Sequence, residues 1–146
     1  MAVKGLLEVG IVFRGFIVVN KHLKHSPLLK KSEDSLTDPR GAFISAIDSF
    51  AKEAFKNVYL EYLESNNLLF IFKFGEIKPS DGIEKEPVII YGLVEKTKKN
   101  TDKTVKTFLQ QVKPLLDSFI TIYTGCDFSE ADQFSAFKEN IIAHFS

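Results

Sequence analysis

Apolar and polar positions along this chain change period several times, and each change marks an element. Residues 6–13 (LLEVGIVF) and 16–24 (FIVVNKHLK) are short apolar runs separated by Arg14-Gly15. Such runs around a Gly-containing turn predict a hairpin. The first run is apolar on both faces, with Leu7, Val9, Ile11 and Phe13 on one and Leu6 and Val12 on the other. A strand of that kind belongs in the middle of a sheet covered on both sides. Gly10 within it predicts a bulge or the close approach of a helix. Residues 25–37 (HSPLLKKSEDSLT) read as a loop.

The period then lengthens. Over residues 38–55 (DPRGAFISAIDSFAKEAF) Asp38 can cap a helix, Pro39 fits its first position, and Phe43, Ile47, Phe50 and Ala54 form one buried face. Residues 58–64 and 68–74 return to strand character around Ser65-Asn66-Asn67, and 75–87 form a polar loop. Residues 88–96 predict a fifth strand, again apolar on both faces and again holding a glycine, Gly92. From about Thr101, after Asn100 as cap, one stripe carries Val105, Phe108, Leu109, Val112, Leu115, Leu116 and Phe119. Pro114 inside that stripe predicts a kink or a broken turn within a single helix. Gly125 ends it, and Asp127 or Ser129 can open a last helix with Phe134, Phe137, Ile141 and Phe145 on one face.

Composition fits one domain spanning residues 1–146, 45% hydrophobic, with fourteen Phe and no Trp. Lys plus Arg and Asp plus Glu both number 19, so no global field draws the chain to nucleic acid. A single cysteine, Cys126, excludes an internal disulfide and suits a reducing, cytoplasmic setting. The N-terminal stretch is apolar, but Glu8, Gly10 and Arg14 interrupt it, so a strand pair is expected there and not a signal peptide or a membrane span.

The predicted order, β-β-α-β-β-β-α-α, resembles that of the longin fold. Two segments carry the resemblance: the opening hairpin LLEVGIVFRGFIVVN, and the helix GAFISAIDSFAKEAF followed directly by a three-strand meander. That helix is also similar to its counterpart in roadblock proteins, but those usually place a helix before the first hairpin, and here the first strand starts by residue 6. The resemblance implies an α+β, longin-like three-layer α/β/α sandwich. Its five-stranded, mainly antiparallel sheet would run in the order 2-1-5-4-3, with the first helix on one face and the last two on the other. The first and fifth strands would be central, and those are the two runs that are apolar on both sides.

No residue set converges on catalysis. His22 and His25 read as solvent-facing loop residues, and Cys126 and His144 lack any flanking signature of a nucleophile and base. Gly5, Gly10 and Gly15 do not precede a helix and make no phosphate cradle. No catalytic residue, cofactor or metal is therefore expected. Two basic runs stand out: Lys21, Lys24, Lys30 and Lys31, and then Lys96, Lys98, Lys99, Lys103 and Lys106. A solvated charge run is the better reading of both, ahead of weak contact with an anionic membrane surface. Without interleaved aromatics they do not suit RNA.

Beside the buried stripe of the 38–55 helix, Ile44, Ala51 and Phe55 lie to one side, and the third strand carries Tyr59, Glu61 and Tyr62. In the order the resemblance implies, that strand is an edge. An apolar edge needs cover, either from the second loop or the helix flank of the same chain or from a partner. The resemblance implies side-by-side pairing through this helix and strand, as a homodimer or with another longin or roadblock domain. It implies a non-enzymatic scaffold or regulator of a small GTPase or vesicle-trafficking complex, cytoplasmic or peripheral at membranes. The alternative is a small-molecule sensor of profilin or PAS-like architecture, which would need a cavity that fourteen phenylalanines tend to fill.

Overall fold

The computed structural model describes residues 5–23, 62–64, 67–96 and 101–145. Within them the chain is α+β. Strands β1 (Leu6–Phe13), β2 (Phe16–His22), β3 (Tyr62–Glu64), β4 (Leu68–Ile77) and β5 (Glu86–Glu95) are followed by helix α1 (Thr101–Tyr123), a 3-10 helix (Ala131–Ala136) and helix α2 (Phe137–Phe145). The helix expected over 38–55 and the first part of the third strand lie outside the described residues.

The five strands form one antiparallel sheet in the order β2-β1-β5-β4-β3. Every position of β1 is buried, and so is the middle of β5, as central strands require. The hairpin turns at Arg14-Gly15, both with positive φ (54° and 81°). That backbone matches the right-handed twist of the strands it joins. β4 is longer than the pattern suggested, because Gly75, Glu76 and Ile77 keep pairing with Val88, Pro87 and Glu86.

The two faces of the sheet carry separate cores. On the first, Val9, Ile11, Ile71, Ile90 and Val94 pack with α1, the 3-10 helix and α2. On the second, Leu7, Val12, Phe70, Phe72, Ile89, Tyr91 and Leu93 form another buried cluster. α1 runs unbroken through Pro114. An interior proline costs about 3 kcal/mol, whereas the seven buried side chains of this helix return roughly 1.5–3 kcal/mol each. Packing wins, and no break appears. The helix stops at Gly125 (φ +84°), whose N–H donates to the Lys78 carbonyl at 2.8 Å.

The closing segment departs from expectation. Asp127 accepts from the Ser129 N–H and hydroxyl, at 2.9 and 2.7 Å, and so closes a local turn without capping a helix. The chain then makes the 3-10 helix before α2 begins at Phe137. Phe134 and Phe137 reach Phe119 with ring centroids 5.9 and 5.2 Å apart, and Phe134 lies 4.9 Å from Tyr123. These rings join the closing segment to α1.

Two glycines set how close the layers come. Gly92, in β5, faces α1 between its cross-strand neighbours Val9 and Ile71. A Cβ there would lie 2.3 Å from the Phe108 ring. Gly10 faces the other side, opposite Tyr91, and a Cβ there would lie 2.5 Å from that ring. A helix does approach a glycine, but at Gly92. At Gly10 the neighbour is a cross-strand tyrosine, and the bulges of β1 fall beside it, at Leu6/Glu8 and Ile11/Val12.

Candidate functional site

The sheet order leaves β3 with β4 as its one strand neighbour among the described residues. Tyr62, opposite Ile71, faces α1, while Leu63 joins the second core. α1 packs mainly against β4, and beside it a groove of about 490 Å³ opens between the helix and the strand edge. Asp102, Val105, Lys106, Leu109, Gln110 and Lys113 line it from the helix, at three- and four-residue spacings that put them on one side. Tyr62 and Lys73 line it from the sheet.

Val105 is buried and Leu109 half-buried, which gives the groove an apolar floor. Among the described residues its rim is cationic: Lys73, Lys106 and Lys113 face a single carboxylate, Asp102. Lys113 also reaches Asp117, one helical turn on, at 3.2 Å. At the far end of β3, Lys96 is held by Glu64 at 2.6 Å. Among the described residues, neither Lys73 nor Lys106 has a carboxylate within ion-pair distance.

Of the residues expected at a partner surface, Tyr62 is placed, on this groove. Ile44, Ala51, Phe55, Tyr59 and Glu61 lie outside the described residues. The second basic run divides: Lys106 enters the groove, Lys96 is taken up by Glu64, and Lys98 and Lys99 lie outside the described residues.

A second polar cluster has no counterpart in the sequence reading. Glu8 has no exposed surface, although it sits on the central strand. Tyr91 donates its hydroxyl to Glu8 Oε2 at 2.5 Å, and His22 Nε2 lies 2.7 Å from Oε1. Register explains the meeting: His22 pairs with Glu8 across β1–β2, and Tyr91 pairs with Gly10, two residues along the same face. The missing side chain at Gly10 lets the ring lean toward the carboxylate. His22 is therefore the last residue of β2 and a carboxylate partner, not a free loop histidine. The one signal in the sequence was a carboxylate in a strand apolar on both faces, since such a group must find partners. The cluster ties β2 to β1 and β5.

A third cluster closes one end of the sheet. Arg14 donates to both carboxylate oxygens of Glu86 (Nε to Oε1 2.9 Å, Nη2 to Oε2 2.6 Å) and to Asp81 (3.1 Å), with its guanidinium 5.0 Å from the centre of the Phe13 ring. The hairpin turn is thereby clamped to the β4–β5 loop. Hydrogen bonding to Glu86 first, then to Asp81, raises the Arg14 pKa, and the bond from Arg14 lowers that of Asp81. A depressed folded pKa contributes stability above the carboxyl's ordinary range and loses it as the pH falls through the folded value. In a carbon-detected NMR titration, the Asp81 midpoint should lie below that of an ordinary aspartate and return to it in Arg14→Gln. An unchanged midpoint in the variant would remove the clamp as the cause.

Among the described residues no group of three His, Cys, Asp or Glu could hold a metal ion, and no helix is long and apolar enough to cross a membrane. No protein-family model, curated protein or solved structure matches the chain.

Proposed function

We propose that this chain is a non-enzymatic, longin-like interaction module that serves as a scaffold or regulator of a small GTPase or vesicle-trafficking complex. The observation that supports the reading is the antiparallel order β2-β1-β5-β4-β3, in which the strand expected to meet a partner is an edge strand. A three-layer arrangement belongs to the same proposal. The described helices pack on the first face, and the apolar cluster of Leu7, Val12, Phe72, Ile89 and Tyr91 on the second needs a layer of its own. The helix expected over 38–55 would have the apolar stripe to supply it.

In this reading the 41–56 helix and the 58–64 strand form the main contact, with a second copy or with another longin or roadblock domain. Light scattering over a concentration series tests it. The chain should self-associate, and Ile44→Asp with Tyr59→Lys should weaken association roughly 100-fold, as loss of central interface anchors does, while circular dichroism stays that of the folded protein. Association unchanged in that variant would place the interface elsewhere. An unfolded variant would assign the two residues to the core.

A further inference from the structure

We propose that the groove between α1 and the β3–β4 edge docks a short acidic peptide segment with apolar anchors, supplied by a protein partner. The proposal rests on reading the chain as an interaction module and adds a contact separate from the 41–56 helix.

Charge is the first argument. The chain as a whole is neutral, yet among the described residues this groove carries three lysines, one of them also paired with Asp117, against one aspartate. Lys73 and Lys106 have no carboxylate partner among the described residues. A local excess of unneutralised cations in a balanced chain favours an anionic occupant and speeds its encounter.

Shape and floor are the second. Val105, Leu109 and Tyr62 offer apolar surface at the bottom of a concave site. A bilayer presents a broad surface that does not enter a groove flanked by a helix and a strand edge. Nucleic acid would call for stacking aromatics along the lysines, and among the described residues Tyr62 is the only aromatic in the lining. A peptide can place side chains on the floor and carboxylates at the rim together.

Spacing is the third. Lys106 and Lys113 are separated by seven positions on α1, about 10 Å along a helix axis. Three residues of a polyproline II chain cover about 9 Å and bring the side chain back to the same side. Acidic residues three apart, with an apolar residue between them, therefore match the rim and the floor at once.

The test is fluorescence anisotropy with the full chain and a labelled peptide of repeated Glu-Ser-Leu triplets. Micromolar binding is expected, weakening with added salt and roughly tenfold in Lys106→Glu, whose side chain is exposed on α1 and whose reversal leaves the helix intact. Lys73→Gln should weaken it in the same direction. A peptide with Gln for every Glu should bind at least roughly tenfold more weakly. Equal binding of the Gln peptide, no effect of Lys106→Glu, or binding to phosphatidylserine vesicles but not to the peptide would each overturn the proposal. Ile44→Asp with Tyr59→Lys should leave peptide affinity unchanged. Peptide binding lost while self-association persists sinks the groove alone, and the converse sinks the pairing surface alone.

Discussion

Gly92→Val is expected to leave little folded protein, and Gly92→Ala to destabilise it by about 3 kcal/mol in urea unfolding, the upper end of what overpacking a core usually costs. The cause is one contact. Phe108, fully buried on α1, fills the notch that Gly92 leaves between Val9 and Ile71, and an added Cβ would sit 2.3 Å from its ring. None of the three neighbours has exposed surface into which it could move. The helix would have to lift from the sheet, taking Val105, Val112 and Leu116 with it. Phe108→Ala alone should cost about 3–5 kcal/mol through its cavity. Combined with Gly92→Ala, the total should fall short of the sum by about 1–3 kcal/mol, since each change relieves the other. Strict additivity would mean that the ring and the glycine are not coupled.

Tyr91→Phe should destabilise the protein by about 2 kcal/mol, more than the loss of an ordinary exposed hydrogen bond. The substitution keeps the ring over Gly10 and its stacking on Phe70, with centroids 5.3 Å apart, so packing is conserved. What changes is Glu8, a carboxylate without exposed surface that loses its phenol donor. A buried group left short of donors costs its desolvation, whereas replacing both partners by apolar groups is often close to neutral. Adding Glu8→Met to Tyr91→Phe should therefore recover most of the lost stability. If the double variant is no more stable than Tyr91→Phe alone, the carboxylate is worth keeping for its remaining contacts, His22 among them. His22→Gln should cost less than Tyr91→Phe, because His22 is partly exposed and water can replace it.

The sequence by itself determined what depends on neighbours a few residues apart. The hairpin was legible because Arg14-Gly15 must supply two left-handed residues between apolar runs. The central places of β1 and β5 followed from side chains that are apolar on both faces, and the stripe from Val105 to Phe119 gave α1 because helical spacing puts those positions on one side. The edge position of Tyr62's strand was implied by the longin-like order and not by the pattern of the strand itself.

Tertiary structure decided the rest, because the deciding partners are distant in the chain. Glu8 read as an interruption of an apolar run until register brought it to Tyr91, 83 residues away, across a glycine whose purpose only that ring reveals. Lys96 and Lys106 belong to one basic run in the sequence. In the fold, Glu64 neutralises the first and the groove receives the second. Pro114 argued locally for a kink or a broken turn in α1, and the helix continues through it because of the seven side chains it buries against the sheet and the closing segment. Periodicity and turn chemistry act over one or two turns of chain. Neutralising a charge, opening a groove or fitting a ring into a glycine notch requires surfaces that meet only when the sheet has closed.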